Sequence, residues 1–176
     1  MCHLQAARGT PLNRRLPTLL AFGVALLGLG ADQASKEAVL DGVTPGRPIE
    51  VVGTLLRFNL TFNPGAAFSL GTSMTLALSI FAIIALLVCV FIALRKVRTF
   101  AQGLAVGLLM AGISGNLHDR LFRAPAPLLG HVVDFIQLPH FAIFNVADIC
   151  ITSAAVLVVL LSLCSPSDVE KRSGRK

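Results

Sequence analysis

The sequence has no tryptophan and no tyrosine, and only 14% of its residues are charged. The first absence removes the aromatics that usually mark the two membrane–water interfaces, leaving that role to eleven phenylalanines. The scarcity of charge, with 55% hydrophobic residues and a mean hydropathy of +0.78, excludes an ordinary soluble domain. Four cysteines are present but no CxxC pair. Cys89, Cys150 and Cys164 fall in apolar runs and Cys2 in the leader, so no disulfide framework or cysteine metal site is offered, and they read as small buried hydrophobes. HExxH is missing, and so are internal repeats, low-complexity runs and domain linkers. The net charge of +6 comes without the interleaved aromatics or folded basic surface that a nucleic-acid partner needs. It reads as membrane topology and attraction to anionic membrane lipid.

What is present is apolar length. Positions 74–94, MTLALSIFAIIALLVCVFIAL, carry no charge over 21 residues, close to the ~20 that a bilayer core requires. Three further runs, 16–31 (continuing as helix to about 36), 100–117 and 144–163, complete four spans in a single integral membrane domain, 1–176, with a disordered tail from about 165. A cleaved signal peptide is the alternative for the first run, since Arg14 and Arg15 precede it and GLGA closes it. Asp32 and Lys36 beyond that cluster favour a retained helix. Ten of the fifteen basic residues (Arg8, Arg14, Arg15, Arg95, Lys96, Arg98, Lys171, Arg172, Arg175, Lys176) fall on one side of these spans. The positive-inside rule makes that side cytoplasmic and puts both termini there.

Two segments lie outside the membrane, 37–73 and 118–143. In the first, LRFNLTFN alternates Leu56, Phe58, Leu60 and Phe62 against Arg57, Asn59, Thr61 and Asn63, a strand pattern within an extramembrane β segment at 49–63. It ends in the turn Asn63-Pro64-Gly65. A small sheet at the bilayer surface, apolar face down, is expected. The second segment reads as an outer loop. Along the third span Gly103, Gly107, Ala111 and Gly115 recur every four residues, a stripe that lets a neighbouring helix backbone approach closely in lipid. Asp119 continues that stripe, and Gly112, Asn116 and Arg120 form the adjacent row.

Ionisable residues at membrane depth are costly and therefore point to function. On the fourth span Asn145, Asp148 and Thr152 share a face at helical spacing, so Asp148 needs a partner, either across helices or in Arg120. Asp134 lies between apolar neighbours in VVDFI. Brought into one half-dry site, two carboxylates cannot both ionise easily, so one serves as base and the other as acid for water attack on a peptide carbonyl. The 14-residue separation permits that meeting without requiring it. Three rivals stand beside it. GISG at 112–115 is similar to the GxSG of rhomboid-type serine proteases, with Ser114 as nucleophile; His118, His131 and His140 with Asp119 or Asp134 could serve a zinc hydrolase; intramembrane Asp and Asn also mark ion paths in transporters.

Five motifs, DQASK at 32–36, NPGAAFS at 63–69, GISGNLHDR at 112–120, VVDFI at 132–136 and FNVAD at 144–148, resemble in the same order those of the lipoprotein signal peptidases, the bacterial signal peptidase II family. The resemblance implies a membrane all-α four-helix transmembrane bundle with a small extramembrane β-sheet at the outer surface. It also implies an aspartic endopeptidase of the inner membrane that cuts diacylglyceryl-modified prolipoproteins before the lipidated cysteine, with no metal or cofactor; nothing in the sequence calls for more than a monomer. Asp134 and Asp148 then match the catalytic aspartates, and Asn145 and Asn116 match active-site asparagines. Arg120 matches the arginine that contacts substrate chain or lipid, while Asp119 reads as structural. Asn63, with the turn Gly65 and Ala66, faces the substrate. Asp32 and Lys36, four apart on the first helix, match a polar pair, and their spacing reads as structural support for the site. The segment 137–144 lacks the larger aromatics common in the family.

Overall fold

The computed structural model describes residues 15–65 and 71–163. Arg8, Arg14, Cys2, Cys164, Ala66 and the tail lie outside these residues. Four helices, α1 (Arg15–Gly42), α2 (Gly71–Arg95), α3 (Phe100–Phe122) and α4 (Val146–Leu163), and three strands, β1 (Ile49–Val52), β2 (Leu56–Asn63) and β3 (Val132–Gln137), make up the fold. All four helices are long and apolar enough to cross a membrane. The expected architecture, four membrane-capable helices with a small antiparallel sheet, is what forms.

At 1.5 Å per residue, α1's 28 residues reach roughly 42 Å, beyond the ~30 Å hydrocarbon core. The helix therefore runs on past the expected end near 36, and its last turns carry Lys36 and Val39 under the sheet. α3 likewise continues to Phe122, five residues past the sequence-based boundary. Its start is fixed by a capping box: Thr99 Oγ1 accepts from Gln102 N–H at 3.2 Å, and Gln102 Oε1 accepts from Thr99 N–H at 3.2 Å. α2 is apolar all round and leaves Phe81, Leu87 and Leu94 exposed, as a lipid-facing helix does.

α3 is the central helix, packed on α1, α4 and α2. The small-residue stripe explains the closest of these contacts. A side chain at Gly107 would meet Ala21 O at 2.6 Å and Val24 Cβ at 2.8 Å, both on α1. Gly112, in the adjacent row, instead faces Ala147 and Ile151 of α4. One row of α3 thus seats α1 and the next seats α4.

The sheet has order β1-β2-β3, antiparallel throughout. β2 pairs with β3 through Thr61↔Asp134 and Asn63↔Val132. Its apolar face packs onto the end of α1 and onto β3, with Leu60, Val133, Phe135, Val39 and Val43 in one buried cluster. Phe58 and Phe135 meet edge-on at 5.8 Å. Phe62 departs from the expected apolar-down arrangement and stands 45% exposed near the strand end.

β3 corrects the reading of 118–143 as a loop. VVDFIQ does not alternate because Val132, Val133, Asp134 and Phe135 are all buried, so both strand faces are covered.

Candidate active site

The segment after β3 turns back on it. Phe144 N–H donates to Ile136 O at 3.0 Å, and Ile136 N–H donates to Phe144 O at 2.8 Å. This bridge delivers the next residue, Asn145, beside Asp134. Asn145 does not lie within the helical stripe expected of it: α4 starts one residue later, and Asn145 caps it. Asn145 Oδ1 accepts Asp148 N–H at 3.0 Å, while Asp148 Oδ2 accepts Asn145 N–H at 3.2 Å. The two side chains satisfy donors at the helix start reciprocally. Thr152 takes no part, being exposed.

Asp134 and Asp148 are joined through amides. Asn145 Nδ2 donates to Asp134 Oδ1 at 2.6 Å and to Asn116 Oδ1 at 3.1 Å. Asn116 Nδ2 in turn donates to Asp148 Oδ1 at 2.9 Å. From the sheet, Asn63 Nδ2 donates to Asp134 Oδ2 at 2.9 Å. Asn63 is itself held by a turn in which its Oδ1 accepts Gly65 N–H at 2.8 Å, and Gly65 has φ +84°, which its lack of a side chain makes easy. Thr75 hydroxyl donates to Pro64 O and ties this turn to α2.

Asp134 is 3% exposed. Burial pushes its carboxyl up from 3.8 to about 6. The Asn63 hydrogen bond opposes that rise, the neighbouring Asp148 charge adds to it, and the Asn145 hydrogen bond and the Lys36 charge oppose it again. Asp148 is only half-buried.

Behind the amides lies a buried ion cluster. Lys36 Nζ contacts Asp32 Oδ2 at 2.8 Å and Asp119 Oδ2 at 2.7 Å, with all three side chains at 0% exposure. Its third donor goes to Asn116 Oδ1 at 3.3 Å. Asp119 also takes Arg123 Nε at 2.8 Å, and Arg123 Nη2 reaches Glu37 at 2.7 Å. Arg123 is not among the site residues that the sequence singles out. Its i, i+4 spacing from Asp119 was the available signal.

Arg120 makes no ion pair with Asp148 among the described residues. Its Nη1 donates to Asn116 O at 3.3 Å and its buried Nε has no protein partner. Arg120 and Asn116 form the polar head of a groove of about 510 Å³ between α2, α3 and α4, whose walls are otherwise apolar, including Leu78, Phe81, Leu109, Ile113 and Ile151.

The rival constellations do not assemble. Ser114 hydroxyl lies within donating distance of Met110 O at 2.7 Å and Ala111 O at 3.0 Å, on its own helix. Among the described residues, no group of three or more His, Cys, Asp or Glu side chains is arranged to hold a metal. The buried charged side chains among the described residues, Asp32, Lys36, Asp119 and Asp134, all lie at the sheet end of the bundle.

The family profile described as signal peptidase (SPase) II matches residues 24–164. The chain belongs to the signal peptidase II family. It is 44% identical over 152 residues to the lipoprotein signal peptidase of Streptomyces coelicolor, covering 85% of this chain and 72% of that protein. It is 39% identical over 150 residues to that of Mycobacterium tuberculosis, covering 85% and 73%. A solved bacterial membrane enzyme, determined by the in meso method, superposes with a TM-score of 0.74 at 28% identity, covering 82% of this chain and 93% of that one. Membership in the signal peptidase II family makes the chain a multi-pass membrane peptidase.

Proposed function

We propose that this chain, a single integral membrane domain acting as a monomer, is an aspartic endopeptidase. It removes the signal peptide from diacylglyceryl-modified prolipoproteins, cutting just before the lipidated cysteine. The observation that carries this reading is the amide-linked pair Asp134 and Asp148, in which Asn116, a donor to Asp148, also lines the polar head of an apolar groove. Asp134, with its carboxyl raised to about 6, carries the proton of the pair. Asp148, the more open carboxylate, takes a proton from water as the water oxygen bonds to the scissile carbonyl carbon. Asp134 then gives its proton to the departing nitrogen as the C–N bond breaks, and the proton held by Asp148 returns the pair to its starting state. Neither step calls for a cofactor.

Arg120 retains unused donor capacity and faces the substrate main chain or the lipid ester. Asn63 and the Gly65 turn form the sheet-side wall. The diacylglyceryl chains enter sideways from the bilayer along the α2–α4 groove, so the substrate arrives already confined to the membrane plane. With the positive-inside rule, both termini face the cytoplasm and the site lies near the outer face of the bacterial inner membrane.

The test is cleavage of a diacylglyceryl-modified prolipoprotein by wild type, Asp134→Asn and Asp148→Asn in lipid vesicles with a metal chelator. Wild type is expected to cleave and both folded variants to lose activity by at least 10³-fold, a loss in the range of removing an essential acid or base. Normal cleavage by either variant would remove the two-aspartate mechanism.

A further inference from the structure

Each candidate catalytic aspartate is preceded in the chain by a backbone amide held by a buried carboxylate. Val133 N–H donates to Asp119 Oδ2 at 3.1 Å, immediately before Asp134. Ala147 N–H donates to Asp32 Oδ1 at 2.8 Å, immediately before Asp148. The two carboxylates come from different helices, α3 and α1, and Lys36 ties them together at 2.7 Å and 2.8 Å. We propose that Lys36, through Asp32 and Asp119, is a positioning residue that sets the separation and aim of Asp134 and Asp148. This rests on the two-aspartate reading given above.

Three features support the assignment. The remaining Lys36 donor holds Asn116 Oδ1, and that fixes the orientation of the amide: its Nδ2 is left to face Asp148. The cluster has no slack, since a side chain at Gly115 would come within 2.5 Å of Asp32 Oδ2 and 3.1 Å of Ala147 Cβ. A buried ion cluster is also a poor stabiliser, because desolvation offsets most of its attraction. Its geometric role therefore accounts for it better than its energy. A compact ammonium with three donors suits this junction; a planar guanidinium does not.

The test compares wild type with Lys36→Met and with the charge-neutral double variant Asp32→Asn/Lys36→Gln, which keeps an acceptor for Ala147. Folded protein is quantified by size exclusion in detergent, and kcat and KM are measured per folded molecule on a lipid-modified precursor. The expected result for the double variant is a kcat roughly 100-fold lower, the scale of a 1 Å misplacement, with KM changed less than about threefold. Nuclear magnetic resonance of 15N- and 13C-aspartate-labelled protein should show shifted Val133 and Ala147 amides and an Asp134 carboxyl titrating at higher pH. Unchanged kcat per folded molecule, or wild-type amide shifts and Asp134 titration, would overturn the proposal and leave the cluster a packing feature. The spectroscopic readouts need no turnover. They judge the positioning role even where Asp134→Asn cleaves normally, a result that would sink the dyad instead.

Discussion

A buried carboxyl held at about 6 makes a stability prediction that is independent of any substrate. In the unfolded chain Asp134 titrates near 3.8, and in the folded protein near 6. The folded state therefore binds the proton more tightly. Below about 3.8 both states are protonated and burial of this side chain carries no ionisation penalty. As pH rises from 3.8 through 6 the unfolded chain releases its proton first, and folding stability falls. Above about 6 the loss is complete, and the gap between the two values sets it at roughly 3 kcal/mol. Asp134→Asn removes the titration. It also leaves one amide proton facing the Asn63 or Asn145 donor, a cost of about 1–3 kcal/mol that does not vary with pH. The difference in unfolding free energy between variant and wild type should thus move in the variant's favour by roughly 3 kcal/mol between pH 4 and pH 8. Reversible unfolding in mixed micelles across that range measures it, and taking the difference cancels the titrating groups that do not interact with Asp134. A flat difference would refute the claim that Asp134 is desolvated by this fold. Repeating the series in an Asp148→Asn background should shrink the swing, because the nearby Asp148 charge helps to raise Asp134.

If Asp134 acts as the acid, kcat/KM should fall as pH rises through about 6. Asn63→Ala deletes a hydrogen bond that favours the carboxylate form, so the falling limb should move to higher pH, and a limb that stays in place counts against Asn63 touching Asp134 in solution. Gly107→Leu places a side chain against Ala21 O and Val24 of α1; the yield of monodisperse protein in detergent should collapse, whereas Gly23→Leu, at a position with nothing within 4 Å, should not disturb it. Thr99→Ala breaks the α3 capping box and should cost about 1 kcal/mol in unfolding free energy with cleavage unaffected, since the box lies at the opposite end of α3 from the dyad.

Legibility in the sequence followed the range of the interactions. The charge-free run of α2 and the alternation of β2 are local patterns, and both became the elements they suggest. The small stripe of α3 was also readable, because close approach in lipid needs small side chains whichever helix supplies the partner. β3 was not: a strand covered on both faces shows no period of two, and its burial depends on pairing with β2 across 71 residues, the separation of the Asn63–Asp134 bond. The same holds for Asp119, whose hydrogen-bonding contacts include Gln33, 86 residues away. Asp148 was legible as a residue in need of a partner, but the partner proved to be Asn116 together with its own helix start, in place of Arg120.

The buried charges follow from one another. α4 begins inside the bundle, so the orphan N–H of Ala147 needs an acceptor with no water supplied by lipid, and Asp32 provides it. β3 forms the edge of the sheet beside α3, and its Val133 N–H finds Asp119. Two carboxylates at 0% exposure would be prohibitive alone, which requires a cation between them, and Lys36 is that cation. For Lys36 on α1 to reach Asp119 on α3 the two helices must nearly touch, which requires Gly107 and Gly115 on the facing row. An apolar replacement of the cluster would relieve the desolvation cost but strand both backbone amides, each losing its acceptor in a dry interior. The glycines, the lysine and the two carboxylates are therefore one device, and what it holds are the backbone positions just before Asp134 and Asp148.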